Sequence, residues 1–160
     1  MEQSLSKTNQ EKIIIKILKN YFSKFNAKYF HEWRNSYFRV FNSDYLNEFF
    51  VQINPNGIHD VYHSISVYQV DNLLLEVGIP NMILDTYISE KHFLSTVINN
   101  ELKFLLNTQI NPIKTEVDCI HYCEKIIQYI EVDGKSFESR YSYLPNILDK
   151  INILMKEGKY

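Results

Sequence analysis

Two short stretches of the chain carry the residue types that bind metals or build catalytic sites. The first, residues 118–123 (DCIHYC), holds both cysteines with His121 between them. Cys-x₂₋₄-Cys pairs are common zinc ligands, so Cys119 and Cys123 are candidates. On a helix His121 points away from them, and on a strand the three residues spread over about 13 Å. Neither geometry fits one tetrahedral ion, so the pattern favours core thiols over a metal site.

The second stretch, residues 59–63 (HDVYH), places His59 and His63 four positions apart. That spacing could hold a metal on a helix, but the glutamate of His-Glu-x-x-His is absent. Alternation over residues 61–67 predicts a strand instead, with the two rings about 13 Å apart and His63 on the buried face. A core histidine is therefore favoured. Acid–base catalysis by His59 and His63 with a distant segment is the alternative.

Signatures of other activities are missing from the chain. Its four glycines are isolated, so there is no phosphate-binding loop, and no Gly-x-Ser-x-Gly elbow is present. We expect no catalytic residues, no cofactor and no metal.

Length and composition indicate one globular domain over residues 1–160. The chain is 45% hydrophobic and 14% aromatic, too apolar for disorder. It begins without an apolar secretory signal, its apolar runs are too short to cross a bilayer, and two cysteines make no disulfide framework. We expect a cytosolic protein with reduced thiols.

Helices are predicted at both ends of the chain. Residues 8–11 (TNQE) form a capping box that opens a first helix ending near Asn26. A helical stripe follows Pro80, formed by Leu94, Ile98, Leu102 and Leu105.

Two further helices follow toward the C-terminus. Thr115 and Asp118 resemble a weaker capping box, and residues 133–134 (DG) should end that helix. Its predicted core stripe is Val117, Ile120, Cys123, Ile127 and Ile130. Pro145 lies in the first turn of a last helix that Gly158 stops.

The middle of the chain is predicted to be antiparallel sheet. Residues 28–41 fit either a helix face or a strand, and residues 54–57 (NPNG) form a turn. A second turn at residues 71–73 sets Ile65 opposite Ile79 and makes one face apolar. The residues predicted to point away from that face are Asp60, Tyr62, Ser64, Ser66, Tyr68 and Glu76.

These elements define an α+β fold. We expect an N-terminal helix, an antiparallel meander of three or four strands, and about three C-terminal helices packed on it.

Charge is distributed unevenly along the chain, although the net charge is only −2. Eight of the Lys and Arg residues lie within residues 1–39, whereas residues 40–90 contain none and carry seven acids. One interpretation is that the basic first helix neutralises the acidic sheet region. The other is an acidic surface, with Tyr62 and Tyr68 interleaved, that binds a basic protein.

An acidic surface would repel phosphates, and the lysines of the first helix look like a solvated face. We therefore expect neither nucleic acid nor membrane as a partner.

In size, AT-rich residue usage and order of elements, the chain resembles small bacterial immunity and antitoxin proteins. Proteins of that class bind one cognate toxin, often a basic nuclease domain, and block its active site. The resemblance is one of general character and assigns no residues.

Our hypothesis is a non-catalytic inhibitor that binds a cognate toxin protein through its acidic aromatic surface. The predicted contact residues are Asp60, Tyr62, Tyr68, Asp71 and Glu76. The alternatives are a small hydrolase or nuclease that uses His59 or His63 with a nearby acid or Cys, and a structural subunit that oligomerises.

Overall fold

The computed structural model describes residues 4–56, 59–70, 72, 97–99 and 101–158. It confirms the α+β class: an N-terminal helix precedes a five-stranded antiparallel sheet, and helices follow. The elements are α1 (Lys7–Phe22), a 3₁₀ turn (Ser23–Phe25), β1 (Lys28–Glu32), β2 (Asn35–Phe41), β3 (Tyr45–Gln52), β4 (Asp60–Val67), β5 (Val97–Asn99), α2 (Glu101–Leu105), α3 (Glu116–Tyr129), a π-helix (Ile130–Gly134), α4 (Lys135–Tyr141) and α5 (Leu144–Lys156).

The sheet is a meander in the order β1-β2-β3-β4-β5. The ambiguous residues 28–41 form the hairpin of β1 and β2, in which Glu32 pairs with Asn35 across a two-residue loop. β3 and β4 then pair antiparallel on either side of the predicted 54–57 turn, with Val51 opposite Val61. Pro55 and Asn56 form a turn as predicted, and Gly57 lies outside the described residues.

The helical stripe predicted after Pro80 is wrong where it crosses β5. Ile98 lies in a strand that pairs with β4, because the β-branched pair Val97-Ile98 suits a pleated surface. Ile65 lies opposite Val97 on this side of β4. The predicted partner strand around Ile79 lies outside the described residues. In α2, Leu102 is buried as expected, whereas Leu105 is 56% exposed.

α1 and α3 cover one face of the sheet, which we call the inner face. Ser6 rather than Thr8 caps α1, because the Asn9 backbone N–H donates to its hydroxyl at 3.3 Å. The helix tightens into the 3₁₀ turn and stops at Asn26, where the sequence predicted its end. Asn26 has a left-handed φ of 53°. The core beneath these helices includes Ile14, Leu18, Phe22, Phe38, Phe49, Val51, Val61, Cys123 and Ile126.

α3 begins at the predicted capping box, in which Thr115 and Asp118 satisfy each other's backbone donors. Its buried face is rotated by about one position from the predicted stripe, because Val117 and Ile120 are exposed and tyrosines take part in the core. The buried residues are Cys119, Tyr122, Cys123, Ile126 and Tyr129.

The predicted end of α3 at residues 133–134 is also wrong. Gly134 has a helical φ of −62°, and the chain passes through the π-helix directly into α4. A Cβ at Gly134 would lie 3.3 Å from the Tyr129 carbonyl oxygen and 3.4 Å from its ring, so glycine lets Tyr129 pack closely. As predicted, Pro145 lies in the first turn of α5, and Gly158 adopts a left-handed φ of 67° after it.

Candidate functional site

Both cysteines of the cysteine–histidine stretch belong to the core of the fold. Cys119 and Cys123 are both fully buried, and His121 is exposed. The Cys123 Sγ lies 3.8 Å from the Ile14 carbonyl oxygen of α1. Burial raises the pKa of the Cys119 thiol and raises that of Cys123 to about 12, so neither forms a nucleophilic thiolate near neutral pH. Cys119, predicted at the edge of the core stripe, is as deeply buried as Cys123.

No group of three His, Cys, Asp or Glu side chains within the described ranges is arranged to hold a metal ion. The two cysteines of α3 pack within the hydrophobic core, whereas His121 is exposed to solvent.

His63 lies on the inner face, as predicted, within a buried chain of hydrogen bonds. Its Nε2 is 2.6 Å from Asn47 Oδ1 and its Nδ1 is 3.3 Å from the Tyr129 hydroxyl. Because an amide oxygen only accepts, Nε2 carries the proton, and the Tyr129 hydroxyl donates to Nδ1. Asn99 Nδ2 in turn donates to the Tyr129 oxygen at 2.7 Å. Every link in this chain has a donor and an acceptor.

The surroundings of His63 keep it neutral. Its ring stacks on Phe49 at a centroid distance of 4.1 Å and lies 4.6 Å from Phe137. Burial lowers its pKa to about 3, so it carries no charge at pH 7. His59 is also buried, with its backbone N–H donating to Thr108 Oγ1 at 3.0 Å. These environments favour structural roles for both histidines over acid–base catalysis.

The opposite, outer face of the sheet carries two of the predicted contact residues in neighbouring rows. Tyr62 ends an aromatic row, since its ring stacks on Phe50 at 4.4 Å and Phe50 meets Tyr37 at 5.2 Å. Asp60 ends a polar row in which it lies opposite Gln52, which lies opposite Asn35. Amide hydrogen bonds tie this row together, from Gln52 to Asn35 at 2.8 Å and from Asn54 to Asp60 at 3.4 Å.

The other predicted contact residues do not join these rows in the described structure. Tyr68 follows β4 in a helical turn, where its N–H donates to the Asp44 carbonyl oxygen at 3.0 Å. It is six positions beyond Tyr62, a separation of about 20 Å at strand rise. Asp71 and Glu76 lie outside the described residues. Ser64 and Ser66 are on the outer face as predicted, but they are buried.

Outer-face charge is largely balanced across the described strands. The buried Glu48 carboxylate accepts from Arg39 Nε at 2.5 Å, and the guanidinium lies over the rings of Phe30 and Tyr37 at 4.9 and 5.0 Å. α1 lies against the inner face, and none of the described ion pairs joins one of its lysines to an acid of residues 40–90. Arg39, rather than a lysine of the basic helix, therefore neutralises Glu48.

Trp33 is the feature that sequence reasoning missed. It occupies the tip of the β1–β2 hairpin with 89% of its surface exposed and a φ of 59°. A bulky residue with positive φ is a rare outlier, normally replaced at a turn by Gly or Asn. The sequence carries one sign of this hairpin, because Trp33 lies between two segments that can each form a strand.

Comparison of the chain with protein families, curated proteins and solved structures found no match. Among the described residues, no helix is long and apolar enough to cross a membrane.

Proposed function

We propose that the chain is a non-catalytic protein-binding module of the immunity or inhibitor type, which neutralises a cognate toxin domain by binding it. The observation that carries the proposal is the exposed, left-handed Trp33 at a hairpin tip. Strained backbone concentrates at ligand-binding positions, and tryptophan is enriched among the residues that dominate binding energy at protein interfaces.

The proposed contact surface extends from this tip across the adjacent end of the sheet. Glu32, the neighbour of Trp33, begins the polar row that Asp60 ends, so Glu32 and Asp60 are about 14 Å apart across three strand spacings. That span fits within one standard interface of about 800 Å² per partner. Tyr62 in the next row supplies aromatic area beside the polar groups, and Tyr68, Asp71 and Glu76 remain predicted contacts.

The partner we propose is a basic protein, such as a nuclease domain. The acids of residues 40–90 other than the buried, Arg39-paired Glu48 would speed its encounter and set the orientation, while Trp33 would supply the buried anchor. The neutral, enclosed His63 and the buried thiols support a non-catalytic role, because they leave the described core without an activated nucleophile or base.

The test is a titration of the chain with the toxin domain encoded beside its gene. Trp33 is the only tryptophan in the chain, so a partner without tryptophan should shift its emission to the blue as the indole leaves water. Calorimetry should show that Trp33→Ala weakens binding by at least tenfold, a loss of about 1.4 kcal/mol or more.

A pair of variants tests the acidic component. Asp60→Asn and Asp149→Asn remove the same charge, but Asp149 is exposed on α5, a helix that packs against the inner face through Ile147 rather than on the outer face. We expect only Asp60→Asn to slow association. Equal effects of both, or tight binding by Trp33→Ala, would contradict the proposed surface.

A further inference from the structure

β1 is an edge strand of the described sheet. It pairs with β2 on one side, and no other described strand pairs with its other side. Four of its five residues are exposed, and Tyr29 is half-buried. An exposed edge presents unpaired N–H and C=O groups that can pair with another strand. Natural edges are usually blocked by charges, and β1 carries Lys28 and Glu32 at its two ends.

The sequence of β1, Lys-Tyr-Phe-His-Glu, is complementary to itself when it is read in the opposite direction. Aligned antiparallel about Phe30, two copies set Lys28 opposite Glu32 at both ends and Tyr29 opposite His31. We propose that two copies of the chain associate through β1 in this register, with Phe30 of each copy at the two-fold axis. The interface is isologous, as a two-fold axis requires.

Backbone geometry agrees with this register. The two-residue loop makes Glu32 and Asn35 the closing pair of the hairpin, so alternate residues from Glu32 direct their backbone groups toward β2. Tyr29 and His31 therefore direct theirs toward the open edge. In the proposed register these two residues lie opposite each other, where each pair exchanges both of its backbone hydrogen bonds.

The side chains at the centre are already held in place. The Phe30 ring is 37% exposed on the outer face and lies 4.9 Å from the Arg39 guanidinium carbon. The two Phe30 rings would meet as a close cross-strand pair, of the aromatic type that stabilises antiparallel sheets by about 0.2–1 kcal/mol. A shift of two residues would place Lys28 or Glu32 opposite Phe30 and leave the charges without partners.

One electrostatic contribution opposes association. Lys12, Lys16 and Lys19 of α1 line a groove of about 520 Å³ beside Tyr29 and His31 on the inner face. A two-fold axis perpendicular to the sheet would put both copies of α1 on this face. α1 packs over β2, so the two helices would be separated by about three strand spacings, or about 14 Å. The lysine charges lie closer together than the helix axes, because Lys19 Nζ lies 3.8 Å over the Tyr29 ring and the two Tyr29 residues would be diagonal neighbours about 7–8 Å apart. That separation is comparable to the Debye length of about 8 Å at physiological salt, so the repulsion is only partly screened and weakens the dimer.

An interface formed by two five-residue strands predicts a weak dimer whose population depends on the protein concentration. Sedimentation velocity over a wide concentration range, at physiological ionic strength, measures its dissociation constant. Lys28→Glu and Glu32→Lys each place like charges opposite each other twice, and we expect each to weaken dimerisation at least tenfold. The double variant Lys28→Glu/Glu32→Lys restores opposite charges at both ends and should recover dimerisation to within about threefold.

Lys125→Glu, on an exposed position of α3, is the control for net charge and should leave the dissociation constant unchanged. Circular dichroism checks that each variant is folded. A wild-type chain that remains monomeric at every concentration would overturn the proposal. So would a dimer insensitive to both single variants, or a double variant as weak as the singles. Trp33→Ala should not change the sedimentation behaviour. This variant therefore distinguishes the β1 dimer interface from the proposed toxin-binding surface.

Discussion

The imidazole of His63 and the ring of Tyr129 meet edge to face at 88°, with centroids 6.0 Å apart. His59 and Tyr122 repeat this arrangement at 84° and 6.0 Å. The histidines are about 13 Å apart along the strand direction, and the tyrosines are about 10.5 Å apart along α3. The two pairs together fix how α3 lies along β4, because a shift of either element by one residue would break both contacts.

The buried neutral His63 makes the fold sensitive to acid. Its pKa in the folded state is about 3, below the ordinary value of 6.5, so between these pH values the unfolded chain binds one more proton. Above pH 6.5 the proton uptake of the unfolded chain does not lower the stability of the fold. As pH falls from 6.5 toward 3, the free energy of unfolding decreases by about 1.4 kcal/mol per pH unit. Urea unfolding at pH 5 should therefore show about 2 kcal/mol less stability from this group than at neutral pH.

His63→Gln is the control for that titration. The variant has no imidazole to protonate, so its stability should vary less steeply with pH, whatever its stability at pH 7. If the free energies of unfolding of the two proteins vary equally with pH, His63 takes up a proton in the folded state as readily as in the unfolded chain, and the prediction is wrong.

The hydroxyl groups of Tyr129 and Tyr122 should contribute in opposite ways. Tyr129→Phe leaves His63 Nδ1 and Asn99 Nδ2 without their partner, at a cost of about 1–3 kcal/mol. The Tyr122 hydroxyl is buried and has no hydrogen-bond partner among the described residues. Tyr122→Phe should therefore be neutral or stabilising. Equal losses in chemical denaturation would contradict the hydrogen-bond chain.

Breaking the buried Arg39–Glu48 pair should be far more costly than breaking an exposed pair. Arg39→Met leaves a buried carboxylate without its cation, and we expect a loss of about 3–5 kcal/mol. Arg39→Met/Glu48→Leu removes both charges and should recover most of this loss.

Lys135 and Glu131, an exposed pair four residues apart, provide the comparison. Because both side chains are exposed to solvent, Lys135→Ala should cost only a small fraction of the loss in Arg39→Met. A loss of similar size in Arg39→Met would mean that solvent reaches Glu48.

Both cysteines should resist thiol reagents in the folded protein, because both are fully buried and their pKa values are raised. Labelling should follow the unfolding transition in denaturant. Ser139→Cys, at an exposed position of α4, should instead react at once. Rapid reaction of either native thiol without denaturant would contradict the packing of α3 against α1.

The left-handed backbone of the exposed Trp33 should lower the stability of the fold. Its left-handed backbone costs about 1 kcal/mol or more, and its exposed indole gains almost nothing from packing. Trp33→Asn should raise the free energy of unfolding by up to about 1 kcal/mol, since asparagine tolerates this conformation. Stability lower than wild type would mean that the indole packs in the folded state.

The sequence was sufficient to predict the fold class because local signals agreed with it. The capping box of Thr115 and Asp118, the turn at residues 54–57 and the alternation around His63 all rest on neighbours in the chain. One misplaced feature depends on a distant contact. Val97–Asn99 becomes a strand because β4, more than thirty positions away, offers an edge. The helix through Gly134 depends instead on a local contact, the packing of Tyr129 five positions earlier, that the Asp-Gly pattern does not reveal.

The candidate site was predictable only in part because it also depends on distant contacts. Alternation placed Asp60 and Tyr62 on one face, but it could not show that Arg39 lies beside Glu48 on that face. Nor could it show that Asn47 reaches His63, because both contacts depend on the register between strands. Residues 28–41 remained ambiguous, so the hairpin that displays Trp33 was not predicted.

The packing of α3 on α1 also sets when the chain can fold during its synthesis. The Cys123 thiol meets the Ile14 carbonyl oxygen across 109 positions of sequence. At about 5–20 residues per second, the ribosome needs roughly 5–20 seconds to make that segment. For this interval the apolar side of α1 has no helix α3 to cover it, so the nascent chain exposes this surface until α3 emerges.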